Sequence, residues 1–443
     1  MGLAVRRLLG VRETRGDRWA SLFGQIAIQS LVVLVVTGVF LTLFFDPSMA
    51  RVSYDGSYTR LHGVEMSRAY ASALHLSFDV RGGLLMRQVH HWAALVFTAS
   101  ICCQLLRLMV TGAFRRPRVV RWLAWVTLLA LAMAAGVTGG LLPDDMLSGG
   151  SLGLIQGVTE SIPLAGTRIA ALLFGGSFPG HVIIARAYWT HVVVLPVAII
   201  GVFALLRRLA RRHGEPRPAV PRLNAPMVSW VEVLLFTCGV LILLGVVGQI
   251  NPVWMYGPYE PGATTAGAVP DWYMGFLDGA IRIMPGWEVD VAGHPLTLAV
   301  LVPALLVPGG FMTLLAAYPW LERRLTGDHG LHQVLDRPRD AATRTGVCAA
   351  LVTFYVVLWA AAANDRIAVS FHLSLFAVTW IFRVAALAAP PLAFLAARAL
   401  CRVLVELEGE RARHGVETGR IVMSESGGFS EVHRAGELMR GSR

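Results

Sequence analysis

The chain contains no lysine; all 39 of its basic residues are arginine. Charge of any kind is scarce, at 15% of 443 residues, where soluble globular proteins carry about 25%. With 55% hydrophobic residues and a mean hydropathy of +0.59, this composition excludes a soluble enzyme or a nucleic-acid-binding domain and describes an integral membrane protein. The net charge of +11 therefore belongs to a membrane surface. Cysteine is sparse as well. Cys102, Cys103, Cys238, Cys348 and Cys401 show no metal or disulfide spacing and read as small buried hydrophobes. The basic start MGLAVRRLLGVRETRGDRW lacks the apolar stretch of a cleavable leader, and LAVR after MG does not fit myristoylation.

What is abundant is long apolar runs. A spanning helix needs about 20 mostly apolar residues, and eight runs qualify: roughly 22–45, 85–110, 121–143, 185–206, 228–250, 296–318, 346–363 and 372–400. Arginine orients them. Arg6, Arg7, Arg12, Arg15 and Arg18 precede the first run, Arg115, Arg116, Arg118 and Arg121 follow the second, and six arginines from Arg207 to Arg222 follow the fourth. Arg323, Arg324, Arg337, Arg339 and Arg344 follow the sixth. Eight spans put all of these on one side, which the positive-inside rule makes cytoplasmic, together with both termini. The expected fold is an all-α membrane protein: a four-helix bundle in 1–213, four more helices in 214–402 and a polar tail in 403–443. No internal repeat stands out. The long connections on the outer side carry Gly, Pro and aromatic residues and are not passive linkers.

Ionisable residues at membrane depth are functional suspects. His90 and His191 lie on the second and fourth spans, near the outer third of the bilayer. Two imidazoles on facing bundle helices can hold a haem iron, or can be two hydrogen-bonded core histidines. Arg87 and Arg186 sit within a turn or so of them and can pair with porphyrin carboxylates or simply snorkel. Gly24, Gly38 and Gly139 give either a macrocycle or a neighbouring helix close access to the backbone.

The residues resemble cytochrome b of the bc-type quinol:cytochrome c reductases, in the actinobacterial form. The resemblance covers nearly the whole chain: RQVHHWAALVF at 87–97, GLLPDD at 140–145, RAYWTHVVVLP at 186–196, PDWYMGFLDGAIRIMPGWE at 270–288, AYPWLERRLTGD at 317–328, LHQVLDRPR at 331–339 and HGVETGRIV at 414–422. It implies b haems in the first four helices, quinol (menaquinol in these relatives) oxidised at an outer site, a Rieske iron–sulfur subunit and a c-type cytochrome subunit as partners, and a dimer. His90 and His191 would ligate the outer haem, with Arg87, Arg186, Gly38 and Gly139 around it. Pro270, Asp271, Trp272 and Tyr273 would form the quinol loop, with Asp271 accepting a proton and its partial burial raising its pKa.

The family supplies a second pair of histidines fourteen or fifteen residues further on. Here those places hold Gln104 and Leu205 or Leu206, and Trp125 stands where a glycine would admit the inner porphyrin. The expectation is one haem b, outer, with the inner haem absent. Gly140 stands where relatives often have Tyr beside the quinol pocket. The alternative is a degenerate paralogue with a structural, assembly or non-standard redox role. His91, turned about 100° from His90, is expected to be packed or interfacial, and Asp144 and Asp145 to be solvated.

Overall fold

The computed structural model describes residues 18–214, 216–217, 229–263, 270–291, 293–414, 416–424 and 426–434. Arg6, Arg7, Arg12, Arg15 and Arg222 lie outside the described residues. Eight helices are long and apolar enough to cross a membrane: α1 (Leu22–Thr42), α2 (Gly83–Val110), α3 (Val119–Gly140), α4 (Ile183–His213), α5 (Trp230–Val247), α6 (Leu298–Thr326), α7 (Ala342–Ala361) and α8 (Leu375–Glu410). All eight expected spans are present; the fourth, sixth and eighth run about seven to ten residues beyond their expected ends.

Local sequence sets the boundaries. Ser229 and Glu232 form a reciprocal capping box that starts α5. Gly327, at φ +70°, ends α6 in the left-handed conformation that glycine adopts without a Cβ penalty. The last helix continues without a break to His414, so residues 403–414 prolong it rather than begin the tail. Beyond it, β1 (Val416–Met423) and β2 (Phe429–Arg434) pair antiparallel.

Lipid offers no hydrophobic drive to pull helices together, so polar side chains and close packing join them. Buried Gln29 donates to the Trp230 carbonyl (3.1 Å) and accepts from Thr237 (3.2 Å), tying α1 to α5. Trp122 Nε1 donates to the Leu315 carbonyl (2.8 Å), tying α3 to α6. Gln88 exchanges two hydrogen bonds with the backbone of Ile250, and Trp92 donates to the Gly248 carbonyl (2.7 Å), clamping the exit of α5 onto the start of α2. Phe236 and Leu387 point outward, more than two-thirds exposed, as lipid-facing residues should. Within α1 to α4 the core is continuous over one half, from Ile101 and Leu105 through Trp122, Trp125 and Leu128 to Leu206. The other half of the same bundle carries the histidines.

Candidate functional site

His90 projects from the early turns of α2 and His191 from the early turns of α4. The helix carrying His191 opens into a π-helical turn over Thr190–Val194. Pro196 lies two residues beyond and cannot donate a backbone hydrogen bond, and such turns recur at functional sites. The two imidazole centroids stand 6.1 Å apart, with the rings inclined at 64°. Two metal–imidazole bonds of about 2 Å end to end, with a ring radius of about 1 Å on either side, come to ~6 Å. The spacing fits one iron between the rings.

Their Nδ1 atoms are both engaged by neighbouring helices. Thr37 gives its hydroxyl proton to the Val33 carbonyl (2.7 Å), so its oxygen accepts from His90 Nδ1 (2.9 Å). His191 Nδ1 donates to the Ala135 carbonyl (2.9 Å), with the Thr138 hydroxyl 3.4 Å away. Protonation at Nδ1 leaves Nε2 with its lone pair, the form a metal takes, and such outer partners fix ring orientation. The glycines lie against these rings. A Cβ on Gly38 would come 3.3 Å from His90 Cε1, and one on Gly139 would come 2.6 Å from His191 Cε1. Each threonine precedes its glycine, and both Thr–His pairs are separated by 53 residues. The two helix pairs thus repeat one Thr-Gly…His device, a regularity the reading of the sequence missed.

The flanking arginines differ. Arg87 donates through Nη2 to the Asn251 carbonyl (2.7 Å), while its Nη1 is buried without a hydrogen bond. An orphaned guanidinium nitrogen one turn from His90 fits a bound carboxylate. Arg186 is exposed and donates to the carbonyls of Leu172 and Leu173, at the end of the short helix Gly166–Phe174. The structure does not bring it into the pocket.

In the other half of the bundle, Trp125 is buried, its indole 3.7 Å from where a Cβ on Gly24 would stand and perpendicular to Phe203 at 6.1 Å. The indole takes the space beside Gly24 at ordinary contact distance. Leu206 packs inward while Leu205 faces out, 41% exposed, and Gln104 is buried. Side chains occupy the volume between these helices.

The loop 270–274 lies against α2. Asp271 uses both carboxylate oxygens: Oδ1 accepts from His91 Nε2 (2.9 Å) and Oδ2 from the Tyr273 hydroxyl (3.0 Å). Tyr355 donates to the Trp272 carbonyl (2.7 Å), fixing the turn that Pro270 enters. Burial pushes the Asp271 carboxyl up, but the His91 hydrogen bond and charge, with the Tyr273 hydroxyl, more than offset it and hold the group below its ordinary range. The expected upward shift is thereby reversed. His91 is not merely packed; it holds the loop's carboxylate, a role no local pattern announces because its partner lies 180 residues away. A Cβ on Gly140 would meet nothing within 4 Å. Asp144 and Asp145 are buried rather than solvated. Asp145 caps the helix Met146–Glu160 through Ser148 N (2.8 Å), and burial lifts Asp144 to about 6.

A family model described as cytochrome b (N-terminal)/b6/petB matches residues 95–258. The cytochrome b subunit of the cytochrome bc1 complex from Streptomyces coelicolor is 43% identical over 98% of this chain and 81% of its own length. That of Mycobacterium tuberculosis is 45% identical over 97% and 80%, and that of Corynebacterium diphtheriae 42% over 94% and 79%. The chain belongs to the cytochrome b family. Its fold resembles a chain of a hyperthermophilic respiratory complex III, with a TM-score of 0.61 at 16% identity, over 87% of this chain and 94% of that one.

Proposed function

We propose that the chain is the haem-b membrane subunit of a bc-type respiratory complex, oxidising a quinol, menaquinol by family resemblance, at the histidine end and holding one b haem there. The observation that carries this reading is the pair His90 and His191, 6.1 Å apart and each with Nδ1 engaged by a neighbouring helix. Haem bound between them would supply one-electron chemistry, taking one of the quinol's two electrons while the iron–sulfur partner takes the other. The remaining steps belong to the chain. Arg87 would hold a haem carboxylate with its unpartnered nitrogen. Asp271, held ionised by His91 and Tyr273, accepts a proton from the quinol hydroxyl when one of those hydrogen bonds yields to substrate. Tyr355 keeps the loop backbone still while this happens. The partners are a Rieske iron–sulfur subunit and a c-type cytochrome subunit, in a homodimeric assembly in the plasma membrane with both chain termini cytoplasmic. Residues 1–213 form the haem bundle and 214–402 the domain that carries the quinol loop.

Fourteen helical residues rise about 21 Å, most of a hydrocarbon core about 30 Å thick. With no second haem, an electron at the histidine end faces a gap of that order, and the ordinary two-haem cycle does not run. The packing around Trp125 therefore favours a second reading: a degenerate paralogue whose haem serves assembly or a non-standard redox role. Stopped-flow mixing of a reduced menaquinone analogue with oxidised native membranes, where the iron–sulfur partner takes the other electron, separates the two. Quinol oxidation predicts haem reduction, slowed about 100-fold by Asp271→Asn. Haem that stays oxidised at every quinol concentration supports the second reading.

A further inference from the structure

The loop that carries Asp271 runs straight into a second element. The turn Trp272–Met274 continues as the nine-residue helix Gly275–Ile283, so the place of that helix decides the place of Asp271. Two glycines one turn apart seat it on the end of α7. A Cβ on Gly275 would come 2.6 Å from Trp359 Cδ1, and one on Gly279 would collide with the Leu358 carbonyl. This seat sets how near the two helices lie. A single line of contact does not stop the short helix from rolling about it.

At about 100° per residue, the side chains that flank the seat fall on two sides. On one, Phe276 packs on Tyr355 (5.5 Å between centroids) and Phe311 (6.1 Å). On the other stand Asp278 and Arg282. Arg282 Nε donates to Asp278 Oδ2 (2.9 Å), while Nη1 reaches Asp365 Oδ2 (3.2 Å) and Asn364 Oδ1 (3.4 Å) in the connection from α7 to α8. Asn364 is buried and donates in turn to Thr379 of α8 (3.4 Å). Arg383 of α8 holds the far end of the helix, its Nε donating to the Ile283 carbonyl (2.7 Å). The side chain of Arg282 is 24% exposed and that of Asp278 19%, so salt screens this bridge less than a surface pair.

We propose that Arg282 is a positioning residue: it stops the helix from rolling on its glycine seat and so keeps Asp271 in reach of the quinol hydroxyl, an inference that rests on quinol oxidation at this loop. The guanidinium suits the task. Its donors leave at fixed angles in one plane, so a bridge between two elements sets orientation as well as distance. Asp278 aims the fork from the helix's own side, and Asp365 and Asn364 receive it on the other. Phe276 blocks the roll in one direction and Arg282 resists it in the opposite one.

The test is a double-mutant cycle in native membranes, read as the maximal rate of haem reduction by a reduced menaquinone analogue and the quinol concentration that gives half of it. A displacement of about 1 Å can cost up to about 100-fold in rate. Arg282→Gln should therefore lower the maximal rate about tenfold, with half-saturating concentration and haem content unchanged. Added to Asp271→Asn it should cost nothing further, because the group it positions is already gone. Without quinol, the infrared band of the Asp271 carboxylate, identified by its loss in Asp271→Asn, should shift in Arg282→Gln. Arg211→Gln, on an exposed turn of α4, should change neither rate nor band. Should Arg282→Gln fail to assemble, Asp365→Ala breaks the same bridge from its far end and must show the same non-additivity. A full rate in Arg282→Gln, losses that multiply in the double variant, an unmoved carboxylate band, or an equal loss in Arg211→Gln would each overturn the positioning role. Haem that quinol does not reduce in the unaltered chain would overturn the quinol reading itself, and the positioning role with it.

Discussion

The two ends of the α1–α4 bundle are built from the same helices and differ in one respect: what stands between them. At one end, Gly38 and Gly139 withhold their side chains and two imidazoles face each other with their Nδ1 atoms engaged by neighbouring helices. At the other, Gly24 also withholds a side chain, but the space goes to Trp125, walled by Phe203, Ile101, Leu105 and Leu206. A glycine in a membrane helix is thus not evidence of a cofactor by itself. The group that fills the space it leaves decides its meaning, an imidazole edge in one case and an indole in the other.

The largest expected contrast comes from truncating each end in turn. His90→Ala should remove haem, leaving less than about a tenth of the bound absorbance. Trp125→Ala should cost about 3–5 kcal/mol of stability through the cavity it leaves while the haem spectrum stays. Loss of haem in both variants would erase the difference between the ends. A smaller, graded effect is expected within the histidine end. A methyl on Gly139 would stand closer to its imidazole than one on Gly38, 2.6 Å against 3.3 Å. Gly139→Ala should therefore perturb the low-spin electron paramagnetic resonance signal and haem content more than Gly38→Ala does, and the reverse order would mean that α3 yields more readily than the packing implies.

The smallest expected effect concerns pH. The folded Asp271 carboxyl lies below its ordinary value, so the loop's stabilisation is present above the unfolded pKa of about 4 and is lost as pH falls through the lower folded value. His91→Phe removes the larger opposing contribution and leaves only the Tyr273 hydroxyl to set against burial. The carboxyl should then rise, and the infrared band of its protonated form should appear at higher pH. A band unmoved by the substitution would show that Tyr273 alone holds the charge.

All eight spans and the two histidines were legible in the residues, because hydropathy over 20 positions and ionisable groups inside it are strong local signals. That Gln104 and Trp125 stand at fixed helical distances from His90 and Gly139 could also be seen. Tertiary pairing could not. Nothing near His91 says that it meets Asp271, and nothing in Asp144-Asp145 says that the turn folds inward over them. Arg186 sits in a motif like that of Arg87, yet its guanidinium reaches the carbonyls of a neighbouring short helix. The Thr-Gly…His device was legible and was overlooked, because its 53-residue spacing falls between helices rather than along one.

The most direct measurement is haem per polypeptide by pyridine haemochrome on the purified protein, with a redox titration of the same sample. One b haem per chain titrating as a single one-electron wave is the predicted result. Two haems per chain with two midpoint potentials would contradict the account, because the second would have to sit in the space Trp125 fills.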